Sequence, residues 1–195
     1  MSSDRYRDFR QLARHEQEGC AFRRVVVPRP STVAIVAPHG GRIEPGTSPI
    51  ARAIAAEDYA LYLFEGLKPG DNRHLHITSA NFDDPQCLGL ISRSRLVLTV
   101  HGCRDWDVRV YVGGRHQQLA RRLVALLNRH HFPAELDRTY HAGIHTRNIC
   151  NRGTLRQGVQ LELSAGLRRS LLRSPRQTEV RRFAGVIRAG LGTAV

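Results

Sequence analysis

Short apolar runs rich in β-branched residues recur along the chain, each bounded by glycine, proline or polar residues. Such runs are typical of buried β-strands, because a strand covered on both faces shows no polar alternation. The run from Ser31 to Ala37, which leads into Pro38-His39-Gly40-Gly41, is the clearest. The predicted strands cover residues 31–37, 74–78, 96–100, 108–112 and 158–163.

Segments with helical spacing of apolar residues separate these runs. A Thr47 or Ser48 N-cap before Pro49 predicts the start of a helix that continues to about Phe64. Strands that alternate with helices favour an α/β three-layer sandwich with a mixed, largely parallel central sheet. The predicted helices cover residues 47–64, 84–92, 117–130, 166–172 and 175–189, with a short helical pattern at residues 9–13.

The length of 195 residues favours one domain over residues 1–195, with the polar residues 1–20 as a peripheral N-terminal segment. No apolar run approaches the roughly 18 to 20 residues needed to span a bilayer. The first residues also lack the apolar stretch of a secretory signal. We therefore expect a cytoplasmic protein with no membrane association, for which cell lysis is an available route of release.

The charge balance is strongly basic. Lys and Arg together number 30 against 17 acidic residues, a formal net charge of +13, and Lys68 is the only lysine. A surface of this potential attracts polyanions such as nucleic acid, anionic lipid or an acidic polymer. Charge alone does not choose among these partners.

Polar residues follow or interrupt the apolar runs where a parallel sheet places its functional crevice, at the carboxyl ends of the strands. His39 and Glu44 follow the first strand, His101 follows the run 96–100, and Glu162 lies within the last strand. Two imidazoles and a carboxylate suit a catalytic zinc site with one open position, and Glu162 is the best candidate for a separate general base. By spacing alone, hydrogen-bonded loop histidines are the commoner origin of this pattern.

Four segments together resemble the poly-γ-glutamate hydrolase family, which includes phage enzymes and bacterial proteins labelled phage-related replication protein. They lie in a consistent order across roughly residues 20–190. The resemblance implies a zinc-dependent amidohydrolase with a carboxypeptidase-like α/β fold. The segments are Ala37-Pro38-His39-Gly40-Gly41-x-Ile43-Glu44-Pro45-Gly46-Thr47, Val100-His101-Gly102-Cys103, Asn148-Ile149-x-Asn151-Arg152-Gly153 and Gly158-Val159-Gln160-Leu161-Glu162.

The same resemblance assigns roles to individual residues. His39, Glu44 and His101 match the zinc ligands, and Glu162 matches the general base. Asn151 and Arg152 occupy the place of an Asn-Arg pair that holds a substrate carboxylate in the wider carboxypeptidase-like group. We assign Asn148, in the same motif, to substrate binding with them. Further candidates for substrate contact are Tyr140, His141 and His145.

Four polar residues near these motifs have two interpretations each. His74 and His76 share one face of a predicted strand, where hydrogen-bonded histidines are commoner than site residues. Asp105 and Asp107 follow His101, and either is a candidate for the carboxylate that orients a ligand histidine. The sequence does not decide between them.

The leading functional hypothesis is a zinc-dependent amidohydrolase that cleaves γ-glutamyl amide bonds of poly-γ-glutamate or a related carboxylate-bearing amide. The alternative is a basic, replication-associated nucleic-acid-binding protein on a hydrolase-like fold. Residues 168–188 hold seven arginines and one acid, which fits either a polyanion-binding face or a solvated helical face. Against nucleic acid, aromatic residues make up only 6% of the chain, few for base stacking, and no helix-turn-helix, zinc-finger or RNP-type motif is present.

Overall fold

A computed structural model of the chain describes residues 4–137 and 142–192. The strands are β1 (Phe22–Val27), β2 (Val33–Gly41), β3 (Ala60–Gly66), β4 (Leu96–Gly102), β5 (Val110–Gly113), β6 (Ala134–Leu136) and β7 (Val159–Leu163). The α-helices are α1 (Phe9–His15), α2 (Thr47–Ala55), α3 (Pro85–Ile91), α4 (Gln117–Arg129), α5 (Ala165–Arg173) and α6 (Thr178–Leu191).

The strands form one mixed sheet in the order β1-β3-β2-β4-β7-β5-β6. The pairs β2–β3, β2–β4, β4–β7 and β5–β6 are parallel, whereas β1–β3 and β5–β7 are antiparallel. Helices α2, α4, α5 and α6 cover one face of the sheet, and α1 and α3 cover the other. The predicted three-layer α/β sandwich with a largely parallel sheet is confirmed.

Burial on both faces explains why the central strands are continuously apolar. In β2 the side chains alternate between the two cores, Val33 and Ile35 facing α2 and Ala34 and Val36 facing the opposite layer. All of these side chains are excluded from solvent. A strand in this position has no polar face to expose, so its sequence reads as an unbroken apolar run.

The helix predicted over residues 47–64 is wrong in its second half. Helix α2 ends at Ala55, the backbone of Ala56 has a positive φ of 43°, and β3 begins at Ala60. The apolar residues of β3 lie between β1 and β2 and are buried on both faces. Because a helix with one buried stripe and a fully buried strand both consist of apolar residues over a short range, periodicity did not separate them.

The strand predicted over residues 74–78 is also wrong. Asn72–Leu75 is one turn of 3-10 helix, and an irregular segment follows it. Leu75 and Ile77 are both buried in the core beneath α1 and α3. A segment that buries every second side chain therefore shows the same alternation of apolar and polar residues as a strand, although it does not pair with a strand.

Two edge strands, β1 and β6, lie outside the predicted set. Strand β1 pairs with β3 at the edge of the sheet, and its charged Arg23 reaches Glu65 on that neighbour at 2.6 Å. Edge strands face solvent on one side and carry charges that interrupt the apolar run. The other predicted strands and helices are present with shifted ends. Helix α3, for example, begins at Pro85, because Asp84 is its N-cap and accepts a hydrogen bond from the backbone of Gln86.

The N-terminal residues take part in the core. Tyr6, Phe9 and Leu12 are buried, and the Phe9 ring makes edge contacts with Phe22 and Phe64 at 5.9 and 6.2 Å between centroids. Over residues 4–137 and 142–192, no helix has both the length and the apolar character of a membrane span.

We expect Leu12→Ala to lower the free energy of unfolding by about 2 to 5 kcal/mol, because the leucine is fully buried and its loss leaves a cavity. The matched control is Leu172→Ala in α5, whose side chain is 37% exposed; its cost should stay below about 1 kcal/mol. Urea unfolding of the two variants measures both values. Equal costs would show that the N-terminal segment adds little to the core.

Candidate active site

Three neighbouring strands bring the predicted polar residues to one edge of the sheet. Strand β4 lies between β2 and β7 and is parallel to both. His39 and His101 lie near the ends of β2 and β4, and Glu162 of β7 is the cross-strand partner of His101. The carboxyl ends of parallel strands meet at one edge, where α/β proteins place their ligands.

His39, Glu44 and His101 form a compact cluster at this edge, in which both histidines are buried and Glu44 is partly exposed. The Nδ1 atom of His39 lies 3.1 Å from Glu44 Oε1 and 3.1 Å from His101 Nδ1. One ligand atom from each of the three residues lies within 4.8 Å of the others. Two imidazole nitrogens and a carboxylate oxygen that face one point are a donor set suited to zinc, so the cluster is a candidate metal site.

The outer nitrogens of both histidines have partners on the segment that precedes α3. His39 Nε2 lies 2.8 Å from the carbonyl oxygen of Ile77, and His101 Nε2 lies 3.2 Å from Ser79 Oγ. A partner of this kind sets the ring orientation and leaves the other nitrogen for a ligand. This is a further independent sign that the cluster fits a metal ion.

The assignment of Asp105 or Asp107 as the carboxylate that orients a histidine stays a prediction. The Asp105 carboxylate accepts hydrogen bonds from the hydroxyl of Tyr111 and the backbone of Asp107, contacts that lower its pKa. The orienting groups belong to Ile77 and Ser79, which carry no local sequence signal. Only the path of residues 76–84 across the sheet brings them to the site.

The loop after β2 holds Glu44 in place. Its backbone N–H donates to the carbonyl of His39 at 2.9 Å, and its Oε2 accepts from the backbone N–H of Gly102 at 2.8 Å. Gly46, with a φ of 100°, turns the chain into α2 two residues later. The carboxylate is therefore tied to both histidine-bearing strands.

The environment shifts the pKa values of this cluster. Burial opposes ionisation of Glu44, yet His39 and His101 lower its pKa to about 2. Burial alone lowers the pKa of His39, but the charge and hydrogen bond of Glu44 raise it above its ordinary value. The protein thus favours an ionised Glu44 next to its imidazole partners.

Glu162 has the opposite electrostatic environment. It is only 6% exposed, and burial together with the negative charge of Glu44 raises its pKa well above its ordinary value. Its Oε1 accepts a hydrogen bond from Gln160 at 3.2 Å, and Gln160 in turn accepts one from Asn148 at 2.9 Å. Two carboxylates in one site therefore differ in their affinity for a proton, as acid–base chemistry requires.

The three residues assigned to substrate binding have different surroundings. Asn148 is linked to Glu162 through Gln160. The Asn151 amide donates to the carbonyls of Gly143 and His145 and accepts from two backbone N–H groups, so it holds the loop before β7. Arg152 donates to the carbonyl of Phe82. Their assignment to substrate binding stays a prediction.

Three further candidate histidines, His74, His76 and His145, differ in their surroundings. His76 stacks on His39 with 4.0 Å between ring centroids and lies 2.7 Å from a carboxylate oxygen of Asp4, while His74 contacts Arg5. His145 is exposed. The other two candidates for substrate contact, Tyr140 and His141, lie outside the described residues.

Arg168 is the site residue that sequence reasoning missed. It belongs to the arginine-rich C-terminal segment but is only 8% exposed, and its guanidinium donates to the carbonyls of Leu163 (3.1 Å), Cys103 (2.7 Å) and Pro45. Leu163 directly follows Glu162, and Pro45 directly follows Glu44. Cys103 lies two residues after His101. Burial lowers the pKa of Arg168, and the charges of Glu44 and Glu162 oppose that change.

Gly102 explains how the guanidinium fits. A Cβ atom at this position would lie 2.6 Å from Arg168 Cζ. Because the guanidinium is held by three carbonyl groups, it has little freedom to move aside. The glycine after His101 therefore leaves room for the arginine that joins the ends of β4, β7 and the loop carrying Glu44.

The fold and the cluster at its strand ends define the class of the protein, a hydrolase with a three-layer α/β fold of the zinc carboxypeptidase-like type. The chain belongs to the poly-gamma-glutamate hydrolase family, whose model matches residues 6–186. It superposes on the solved structure of a bacteriophage poly-gamma-glutamate hydrolase with a TM-score of 0.93, at 28% identity and 98% coverage of each chain.

Two further proteins place the chain among its relatives. The UPF0714 protein YndL of Bacillus subtilis (strain 168) is 38% identical over 189 residues, which are 93% of this chain and 74% of YndL. A zinc-free structure of YndL superposes with a TM-score of 0.90 at 35% identity, covering 98% and 99% of the two chains. N-formylglutamate amidohydrolase from Ralstonia eutropha shares the fold alone, with a TM-score of 0.61, 12% identity and coverage of 90% and 98%.

We expect Arg168→Lys to destabilise the protein by about 1 to 3 kcal/mol, because an ammonium group cannot satisfy three separated carbonyl oxygens and leaves at least one of them unpaired. Arg169→Lys is the matched control, since Arg169 is exposed and stacks on Trp106 at 4.8 Å. Denaturant unfolding of both variants measures the difference. If Arg168→Lys is no more costly than its neighbour, the three carbonyls do not depend on the guanidinium.

Proposed function

We propose that this protein is a zinc-dependent amidohydrolase that cleaves the γ-glutamyl amide bonds of poly-γ-glutamate. The observation that carries the proposal is the cluster of His39, Glu44 and His101 with Glu162 on the adjacent strand. Family membership supports the substrate class.

In this proposal His39, Glu44 and His101 hold the metal. Their ligand atoms converge, their outer nitrogens are engaged, and the low pKa of Glu44 keeps it ionised for coordination. A bound zinc ion supplies polarisation of the amide carbonyl and a lower pKa for water. The zinc-free form in which YndL is described is consistent with a zinc-bearing site in this family.

Glu162 is the proposed general base. Its carboxylate accepts a proton from the attacking water, whose oxygen bonds to the γ-carbonyl carbon, and then delivers that proton to the leaving amine as the C–N bond breaks. The raised pKa makes Glu162 a stronger base than an ordinary carboxylate, which suits a group that takes up a proton and then releases it. Gln160, which donates to Glu162, holds the carboxylate in position and is itself fixed by Asn148.

The substrate carries one carboxylate per residue, and the net charge of +13 supports its capture. Arg152 is the proposed partner for a substrate carboxylate, since a guanidinium binds this group bidentately. Asn148 and Asn151 keep their proposed place in substrate binding by shaping the loop that carries Arg152. A related amide with a free carboxylate fits the same chemistry.

Metal analysis and chain-length assays on poly-γ-glutamate, each with and without a chelator, test the proposal as a whole. We expect stoichiometric zinc and shortening of the polymer that stops when the metal is removed. Salt-sensitive binding of duplex DNA, with neither metal nor cleavage, would instead identify a nucleic-acid-binding protein on this fold.

Glu162→Gln should retain zinc and lower the turnover number by about 10²–10⁴-fold, because the amide keeps the shape of the side chain but cannot accept the proton. Metal content and the rate of polymer shortening are measured on the same preparation. Glu57→Gln, which removes one exposed carboxylate away from the site, controls for the altered net charge. Unchanged turnover in Glu162→Gln would refute its role as the base.

His39→Ala, Glu44→Ala and His101→Ala should each lose most of the bound zinc, since three protein ligands are the usual minimum for a catalytic site. His74→Ala is the control, because this histidine is exposed and contacts Arg5. Zinc per protein is measured after dialysis. Retention of full zinc by any ligand variant contradicts that residue's assignment.

A further inference from the structure

We propose that a cleft beside the site, on the face of the sheet covered by α1 and α3, binds carboxylates of the polymer at positions beyond the bond that is cleaved. This inference rests on the proposed function and extends it to the length of chain that the protein holds. The cleft has a volume of about 660 Å³. Four of the residues that line it are arginines, namely Arg7, Arg147, Arg152 and Arg156.

The positive charge of the cleft is not cancelled by its own acids. Asp8 caps α1 and pairs with Arg7 at 3.0 Å, and Asp83 accepts a hydrogen bond from the backbone of Phe9. Over residues 4–137 and 142–192, no ion pair is formed by Arg147, Arg152 or Arg156. Three guanidinium groups are therefore available to anionic ligands.

The cleft lies beside the segment that carries the partners of the two histidines. Ala80, which lines the cleft, follows Ser79, whose hydroxyl oxygen contacts His101. The guanidinium of Arg152, also in the lining, donates to the carbonyl of Phe82 in the same segment. The cleft therefore adjoins the residues that surround the candidate metal site.

A cleft lined by several guanidinium groups fits an extended polyanion better than a single small carboxylate. Successive carboxylates of a γ-linked chain can each meet a guanidinium, and such pairs are charge-assisted and often bidentate. Exposed pairs are individually weak, so the cleft gains affinity only when several are made together. Its contribution should therefore grow with the length of the bound chain.

The experiment compares the double variant Arg147→Gln/Arg156→Gln with the charge-matched control Arg121→Gln/Arg122→Gln, whose arginines are exposed on α4. Both are made in the full chain. Glutamine removes the charge but keeps a polar, unbranched side chain, and at Arg156, where φ is 55°, it introduces no new backbone strain relative to arginine. Binding of fluorescent poly-γ-glutamate and cleavage of long and short γ-glutamyl chains are measured for each.

We expect the cleft variant to bind the long polymer about fivefold more weakly, a loss of about 1 kcal/mol, and to show a higher KM for long chains with kcat unchanged. Its kcat/KM on a short γ-glutamyl oligomer should equal that of the unmodified protein. The control variant should change neither value beyond a small general effect of charge.

Three results would overturn the inference: equal weakening in both double variants, an equal loss on short and long chains, or weakened binding of duplex DNA while polymer binding is unchanged. The proposed function fails separately. If the unmodified protein cleaves no γ-glutamyl substrate yet the cleft variant alone loses polymer binding, the cleft stands and the hydrolytic assignment falls.

Discussion

The structure depends on the burial of a group of charges at one edge of an apolar sheet. Two imidazoles and the carboxylate of Glu162 are buried, and the carboxylate of Glu44 is only partly exposed, an arrangement that is costly unless each group is paired. Glu44 is balanced by His39 and His101, and Arg168 adds a buried cation near both carboxylates. The two histidines lower the pKa of Glu44, and the charge of Glu44 helps to raise the pKa of Glu162. The same interactions therefore serve both the stability and the chemistry of the site.

The order of the strands in the sheet brings these charged residues together. Neighbouring positions of β2, β4 and β7 place residues more than 120 positions apart in sequence, from His39 to Glu162, at one edge. Hydrogen bonds such as that from Gly102 to Glu44 connect the loops that follow these strands. Arg168 joins all three segments at once, because one planar guanidinium donates to a carbonyl group on each of them.

The arginines of this basic chain serve different purposes. Arg168 is internal and structural, Arg188 pairs with Asp58 on the helical layer, and three of the cleft arginines, Arg147, Arg152 and Arg156, form no ion pair among the described residues. The net charge of +13 therefore describes an average over unlike environments. A guanidinium without a carboxylate partner is available to a polyanion, and the cleft holds three of them on the same face as the segment that orients the histidines.

The sequence by itself determined the α/β class and brought forward His39, Glu44, His101 and Glu162, because strand ends converge in any parallel sheet and a short motif retains its spacing. It failed where one local pattern serves two structures, as in β3, whose buried apolar run resembles a helix. Only the tertiary structure decided that Ile77 and Ser79 orient the histidines and that Arg168 is buried rather than exposed. These contacts join distant segments, and a side chain carries no local sign of the partner that folding brings to it.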